Sequence, residues 1–167
     1  MVDKLSKNET RKDIEQLKAN YELLKNKYAL PEFKFLNENF EIESLDPDSE
    51  IILKAIRKHV TEKVFYVLRS LETFMNPSNA PMFIFDIIKM LNESEKDLIK
   101  QLYARIVVYE VEAFGLEAEY DEKNEAEFIK RVSLDWKDIS SDLKKIYSAM
   151  KISDTRESKK TEKSYFG

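Results

Sequence analysis

The side chains that could do chemistry in this chain are one histidine, His59, and 32 aspartates and glutamates. Cysteine is absent and only two residues are glycine, so thiolate chemistry and glycine-rich phosphate loops lack the residues that form them. A metal site between helices usually needs several histidines or a Glu-x-x-His pair, and the chain offers neither. We therefore interpret His59 as a surface or boundary residue, and we predict no catalytic residue, cofactor or metal ligand.

The carboxylates are concentrated in two segments of the chain. Residues 105–128 contain eight acids and two bases, and residues 30–50 contain seven acids and one lysine. A calcium loop needs acids at alternating positions around a central glycine, and residues 121–124 lack that register. A solvated helix end explains the first segment without a site. The alternative is a docking surface for a basic partner, formed by Glu117, Glu119, Asp121 and Glu122.

Charge and hydropathy limit the partners that this chain can have. The net charge is −4, and no basic stripe balances the acidic segments, so we do not expect general affinity for nucleic acid. No apolar run approaches the ~18 residues of a membrane span, and residues 1–10 lack the apolar core of a secretory signal. We expect a cytoplasmic protein that binds no membrane and no small-molecule ligand.

Apolar residues recur at helical spacing through most of the chain, and glycine and proline seldom interrupt them. Residues 106–111 have a strand-like composition, but the helix-forming segment in front of them favours a helix there too. Ser94 and Asp97 have the spacing of a capping box at the start of that helix. The pattern predicts helices over residues 10–28, 34–43, 50–75, 81–91, 95–114 and 126–151, the last as one helix or two.

These elements predict an all-α fold, an irregular bundle of five to six helices in a single domain over residues 1–152. The helix over residues 10–28 has a narrow apolar seam and packs either on the bundle or on a second copy of the chain. Residues 153–167 are rich in Ser, Thr, Lys and Glu and have no periodicity, which predicts a flexible charged tail.

Residues 81–91 are apolar on nearly every side, so this helix is either central in the core or half of an interface. Core packing is the common reason for such a pattern. The alternative is that Met82, Phe83 and Phe85 form an exposed interaction surface, because methionine and aromatic residues are enriched at interfaces. The burial of these side chains decides between the two interpretations.

Three segments carry a resemblance to known proteins: residues 30–43, from Leu-Pro-Glu-Phe to Phe-Glu-Ile-Glu, residues 76–81, Asn-Pro-Ser-Asn-Ala-Pro, and residues 125–129, Glu-Ala-Glu-Phe-Ile. They are similar to a group of small, uncharacterised helical archaeal proteins that have no assigned activity. The resemblance spans about residues 15–150. It implies an archaeal, cytoplasmic and mostly helical protein, and it brings no catalytic residue.

The sequence therefore predicts a non-enzymatic helical interaction or scaffold protein that self-associates. This expectation depends on the missing catalytic groups and on more apolar helix surface than one small bundle needs. One alternative is a nucleic-acid-associated accessory factor, in which Lys and Arg of residues 1–29 and 51–69 contact the phosphate backbone. Another is an enzyme that uses carboxylates with a divalent metal, which requires several acids to converge in one pocket.

Overall fold

A computed structural model describes the backbone of residues 2–49, 51–79 and 81–164, and the side chains of residues 12–49, 51–78, 81–82 and 84–151. The described residues form six α-helices and two short 3-10 turns and contain no strand, which confirms the predicted all-α fold. The helices are α1 (Val2–Tyr28), α2 (Phe33–Phe40), α3 (Ile52–Met75), α4 (Met82–Met90), α5 (Glu93–Ala118) and α6 (Glu122–Ser164). The 3-10 turns are Ile42–Ser44 and Pro77–Asn79.

The helix boundaries differ from the prediction mainly at the ends. The first helix begins at Val2 rather than at residue 10, because no glycine or proline stands in front of that position. Residues 106–111 lie inside α5, as predicted, and residues 126–151 lie inside one helix, α6. The backbone of α6 continues to Ser164, while side chains beyond residue 151 and all of residues 165–167 lie outside the described part. The flexible tail stays a prediction.

Two helices end on residues in the left-handed backbone conformation that glycine usually adopts. Ala29 follows α1 with φ 53°, and Glu41 follows α2 with φ 58°. The Glu41 N–H donates to the Asn37 carbonyl at 2.9 Å, which closes the end of α2. A side chain in this conformation costs about 1 kcal/mol relative to glycine. The shortage of glycine therefore has a local energetic cost at these helix ends.

The start of α5 is fixed by a capping box formed by Asn92 and Glu95. The Glu95 N–H donates to Asn92 Oδ1 at 2.9 Å, and the Asn92 N–H donates to Glu95 Oε2 at 2.8 Å. The prediction of Ser94 and Asp97 was wrong because two pairs with the same spacing overlap here. Asn92 directly precedes α5 and so meets the first free N–H groups of that helix.

The chain divides into two compact units, so the prediction of a single domain over residues 1–152 stays a prediction. Unit 1 contains residues 1–64 and 109–135, and unit 2 contains residues 65–108 and 136–167. In unit 2, buried apolar side chains come from α3, α5 and α6 and from Leu91, the residue after α4. The Arg105 guanidinium lies 3.7 Å from the carboxylates of Asp138 and Asp142 in the same unit.

The core of unit 1 collects apolar side chains from α1, α2, α3, α5 and α6. The Tyr21 ring packs edge-on against Phe33 with 5.5 Å between ring centroids, and Tyr109 packs edge-on against Phe128 at 6.1 Å. The Tyr21 hydroxyl donates to the Pro31 carbonyl, and burial raises the pKa of that hydroxyl. The contacts of Tyr21 with Phe33 and Pro31 hold the connection after α1 against the core.

A buried ion pair joins α3 to α6 within unit 1. Arg57 is 1% exposed and Glu125 is 0% exposed. Arg57 Nε donates to Glu125 Oε2 at 2.9 Å, and Arg57 Nη1 donates to Glu117 Oε1 at 2.7 Å. Burial opposes the charge of Arg57, but the hydrogen bonds to Glu125 and Glu117 outweigh it and raise the pKa of Arg57. Each charge is tolerated in the interior because the other neutralises it.

We predict that Glu125→Gln lowers the free energy of unfolding by about 3 kcal/mol, because it leaves the Arg57 guanidinium buried without its main counter-charge. Chemical denaturation at neutral pH measures this loss. The matched control is Glu127→Gln on the same helix, whose carboxylate pairs with Lys130 at the surface and whose loss should leave the midpoint nearly unchanged.

The double variant Arg57→Met with Glu125→Leu should recover most of the lost stability, because both charges are then removed together. If Glu125→Gln lowers the free energy of unfolding no more than Glu127→Gln does, Glu125 is not needed to neutralise the buried Arg57 guanidinium.

Candidate interaction surface

The helix α4 is a short apolar element with a break on each side. Before it, the residues 76–81 contain two prolines and the 3-10 turn Pro77–Asn79. The Pro81 carbonyl accepts from the N–H groups of Ile84 and Phe85, at 2.9 and 3.3 Å, and starts the helix. After it, Leu91 has an extended backbone and is buried. The hydrogen bonds to Pro81 and the burial of Leu91 therefore fix the two ends of α4, which belongs to unit 2.

None of the described side chains of α4 is buried, although seven of its nine residues are apolar. Met82 is 78% exposed and Phe85 is 38% exposed. The remaining apolar side chains that are described, Ile84, Ile87, Ile88 and Met90, are half-buried. The core interpretation is therefore wrong for Met82 and Phe85, and the side chain of Phe83 lies outside the described part.

The exposed face of α4 is formed by Met82, Phe85, Asp86 and Lys89. These positions have the spacing of one helical stripe, and Asp86 is its half-buried member. The Lys89 ammonium lies 4.2 Å from the centroid of the Phe85 ring, in a cation–π contact. Asp86 has no hydrogen bond or ion pair with any described residue. The stripe thus presents two apolar side chains, one free carboxylate and one ammonium.

A groove lies next to α4 within unit 2. It has a volume of about 190 Å³ and is lined mainly by apolar side chains from the end of α3, the turn after it, α4 and α5. Lys96 and Lys100 also line it, and each already pairs with an acid three residues earlier on its own helix. The apolar lining consists of Phe74, Met75, Pro77, Ile88, Leu91 and Ile99.

Two of the four acids that were predicted to form one docking surface are paired with cations. Glu117 lies 2.7 Å from Arg57 and 3.5 Å from Lys54, and the hydrogen bond from Arg57 is the main reason that the pKa of Glu117 is lowered. Glu122 pairs with Lys27 at 3.0 Å, which lowers the pKa of Glu122.

The other two predicted acids lie together at the start of α6. Asp121 accepts from the Asn124 N–H at 2.8 Å and so caps α6. Glu119 is exposed, and it lines a cleft together with Asp121. Of the four acids, Glu119 and Asp121 line the same cleft.

Four of the bases that were considered for a nucleic-acid surface are paired with carboxylates within unit 1. Arg57 is buried, and Lys54 pairs with Glu117. Lys25 lies 2.8 Å from Glu32, and Lys27 lies 3.0 Å from Glu122. Neighbouring carboxylates neutralise these four cations, which disfavours a basic stripe that binds the phosphate backbone of a nucleic acid.

In the part of the chain whose side chains are described, no group of three or more His, Asp and Glu residues is placed to hold a metal ion. His59 is half-buried on α3, as expected for a boundary position.

Sequence reasoning missed a second exposed apolar surface, on α5. Val111 is 70% exposed and Phe114 is 81% exposed, although both belong to a helix whose opposite side is in the core. The signal was present in the sequence, because α5 has apolar residues on both faces in its second half. When only one apolar stripe is sought on each helix, the second stripe of α5 is overlooked.

Comparison with known proteins identifies no relative of this chain: no protein-family model, no curated protein and no solved structure matches it. Among the described residues, no helix combines the length and the apolar content that crossing a membrane requires.

Proposed function

We propose that this protein is a non-enzymatic helical interaction protein that self-associates through the exposed face of α4. The observation that carries the proposal is the exposure of Met82 and Phe85 on a helix that has no buried side chain among those described. Soluble proteins seldom leave a contiguous apolar surface in water, and where they do it commonly marks an interaction site.

A second copy of the chain is the partner that fits this face best, because its charges are self-complementary. Asp86 and Lys89 stand one turn apart on the same stripe. When two copies of α4 pair antiparallel about a two-fold axis, Asp86 of one copy lies opposite Lys89 of the other, and the reverse contact forms as well. The apolar side chains of the stripe then exclude water from both pairs.

The size of α4 limits the strength of this association. Nine residues of helix are about 13 Å long. Stable interfaces bury about 1,200–2,000 Å² in total, and one short helix from each copy provides only part of that area. We therefore expect a weak, reversible dimer, with a Kd of order 10–100 µM.

We predict that the wild-type chain shows concentration-dependent dimerisation in sedimentation velocity and equilibrium experiments, and that Met82→Glu weakens it at least about tenfold. The substitution replaces an apolar side chain at the end of the paired stripes by a charge, whereas in the monomer that charge meets only water. The matched control is Leu134→Glu, because Leu134 on α6 is about as exposed as Met82 and belongs to unit 1.

Two results would contradict this proposal. One is a wild-type chain that stays monomeric up to about 1 mM, the weakest affinity that a specific contact could have here. The other is a dimer that responds equally to Met82→Glu and to Leu134→Glu.

A second prediction concerns the stability of the monomer. Met82→Gln should change the free energy of unfolding by no more than about 0.5 kcal/mol at a concentration where the chain is monomeric, because Met82 has few contacts to lose. Leu91→Ala, at the buried end of the same segment, should cost about 2–5 kcal/mol. Denaturant titration of dilute protein measures both values. A large loss of unfolding free energy in Met82→Gln would show that the Met82 side chain is packed against the rest of the monomer.

A further inference from the structure

The outer face of α5 in unit 1 is apolar and carries no charge. Val111, Phe114, Gly115 and Ala118 follow one another at spacings of three, one and three residues, which places them on one side of the helix. All four are exposed, and Phe114 is the most exposed large apolar side chain in the described part of the chain. In a chain with 36% charged residues, a helix face without charge indicates a partner.

An acidic cleft of about 680 Å³ opens beside this face. Four carboxylates line it, from Glu112, Glu119, Asp121 and Glu127, and the one cation in its lining is Arg131. Arg131 is bonded to Glu112, and Glu127 lies 2.7 Å from Lys130. Glu119 is exposed and has no hydrogen bond or ion pair with any described residue. The cleft therefore keeps an excess of negative charge.

Gly115 belongs to both features, because it lies on the apolar face and also lines the cleft. A Cβ atom added at Gly115 would meet no atom within 4 Å, so packing inside the protein does not require glycine there. Its backbone conformation does not require glycine either, since φ is not positive. The missing side chain leaves open space where the apolar face meets the cleft.

We propose that this surface of unit 1 binds a helix of another protein whose apolar stripe is flanked by Lys or Arg. The apolar stripe of the partner covers Val111 and Phe114, and a Lys or Arg side chain passes Gly115 into the acidic cleft. The site is separate from the proposed self-association, which uses residues of unit 2. It gives the protein a second kind of partner, of opposite charge.

Charge selects this occupant over the others. A second copy of the same face would bring two acidic clefts together, and like charges in a desolvated contact are unfavourable. Nucleic acid would place phosphates beside Glu119 and Asp121, with the same result. A cationic helix satisfies the apolar face and the carboxylates at once, as in other helix-in-groove complexes.

The test uses three fluorescent synthetic peptides of about 18 residues, long enough to form a helix on binding. The first has a leucine stripe flanked by lysines, the second has the same stripe flanked by glutamates, and the third has the composition of the first in an order without a stripe. We expect the first to bind the full chain, measured by fluorescence anisotropy, at least about tenfold more tightly than either of the others.

Variants then place the peptide on the proposed surface. Phe114→Glu should weaken binding of the first peptide at least about tenfold. Glu119→Gln should weaken it about threefold and should also reduce its dependence on salt. The control Leu23→Glu changes an apolar side chain on α1 that is 72% exposed, against 81% for Phe114, and should leave binding unchanged. Circular dichroism spectra of the variants check that the helices are intact.

Several outcomes would overturn the proposal. They are failure of the first peptide to bind, equal binding of the glutamate peptide or of the stripe-free peptide, and binding that Phe114→Glu and Leu23→Glu weaken equally. A change in the sedimentation of the protein alone on Phe114→Glu would assign this face to a second copy and would overturn it too. Loss of dimerisation in Met82→Glu with peptide binding intact would show that the two surfaces act independently.

Discussion

A helix buries only the stripe that faces its neighbours, and this chain contains little besides helices. With two glycines and four prolines, it has few residues to make loops that could cover what the helices leave open. Apolar residues outside the buried stripes therefore stay in contact with water. That constraint explains both exposed surfaces, since α4 is apolar on nearly every side and the second half of α5 is apolar on two. Each surface exposes side chains that cost free energy unless something covers them.

The two units differ in how their charged side chains are paired. In unit 1, Arg57, Glu125 and Glu117 form a network whose centre is buried, and it engages acids and bases that the sequence alone would leave free to meet a partner. Outside that network, carboxylates outnumber cations in the lining of the cleft that contains Glu119. In unit 2, the exposed stripe of α4 carries one charge of each sign. The first pattern favours a partner of opposite charge, and the second favours a copy of the same chain.

The helices could be predicted from the sequence, because their apolar periodicity is long and uninterrupted. Burial could not be predicted, since periodicity shows which residues of α4 share a face but not whether another helix covers that face. The pair between Arg57 and Glu125 joins positions 68 residues apart, and no local pattern indicates such a contact. Phe114 was missed for a related reason, because its helix already had one complete apolar stripe. Packing between distant segments decides each of these cases.

The central claim is that two copies of α4 pair antiparallel with Asp86 opposite Lys89. The most direct measurement mixes two charge variants, Asp86→Lys and Lys89→Asp, and counts dimers by native mass spectrometry. Each variant alone places like charges opposite each other, so its own dimer should weaken about tenfold. The mixture restores opposite charges at both contacts, and we expect heterodimers to exceed the two homodimers combined, which is more than random pairing gives. Homodimers as strong as those of the wild type, or a mixture without an excess of heterodimers, would contradict the account.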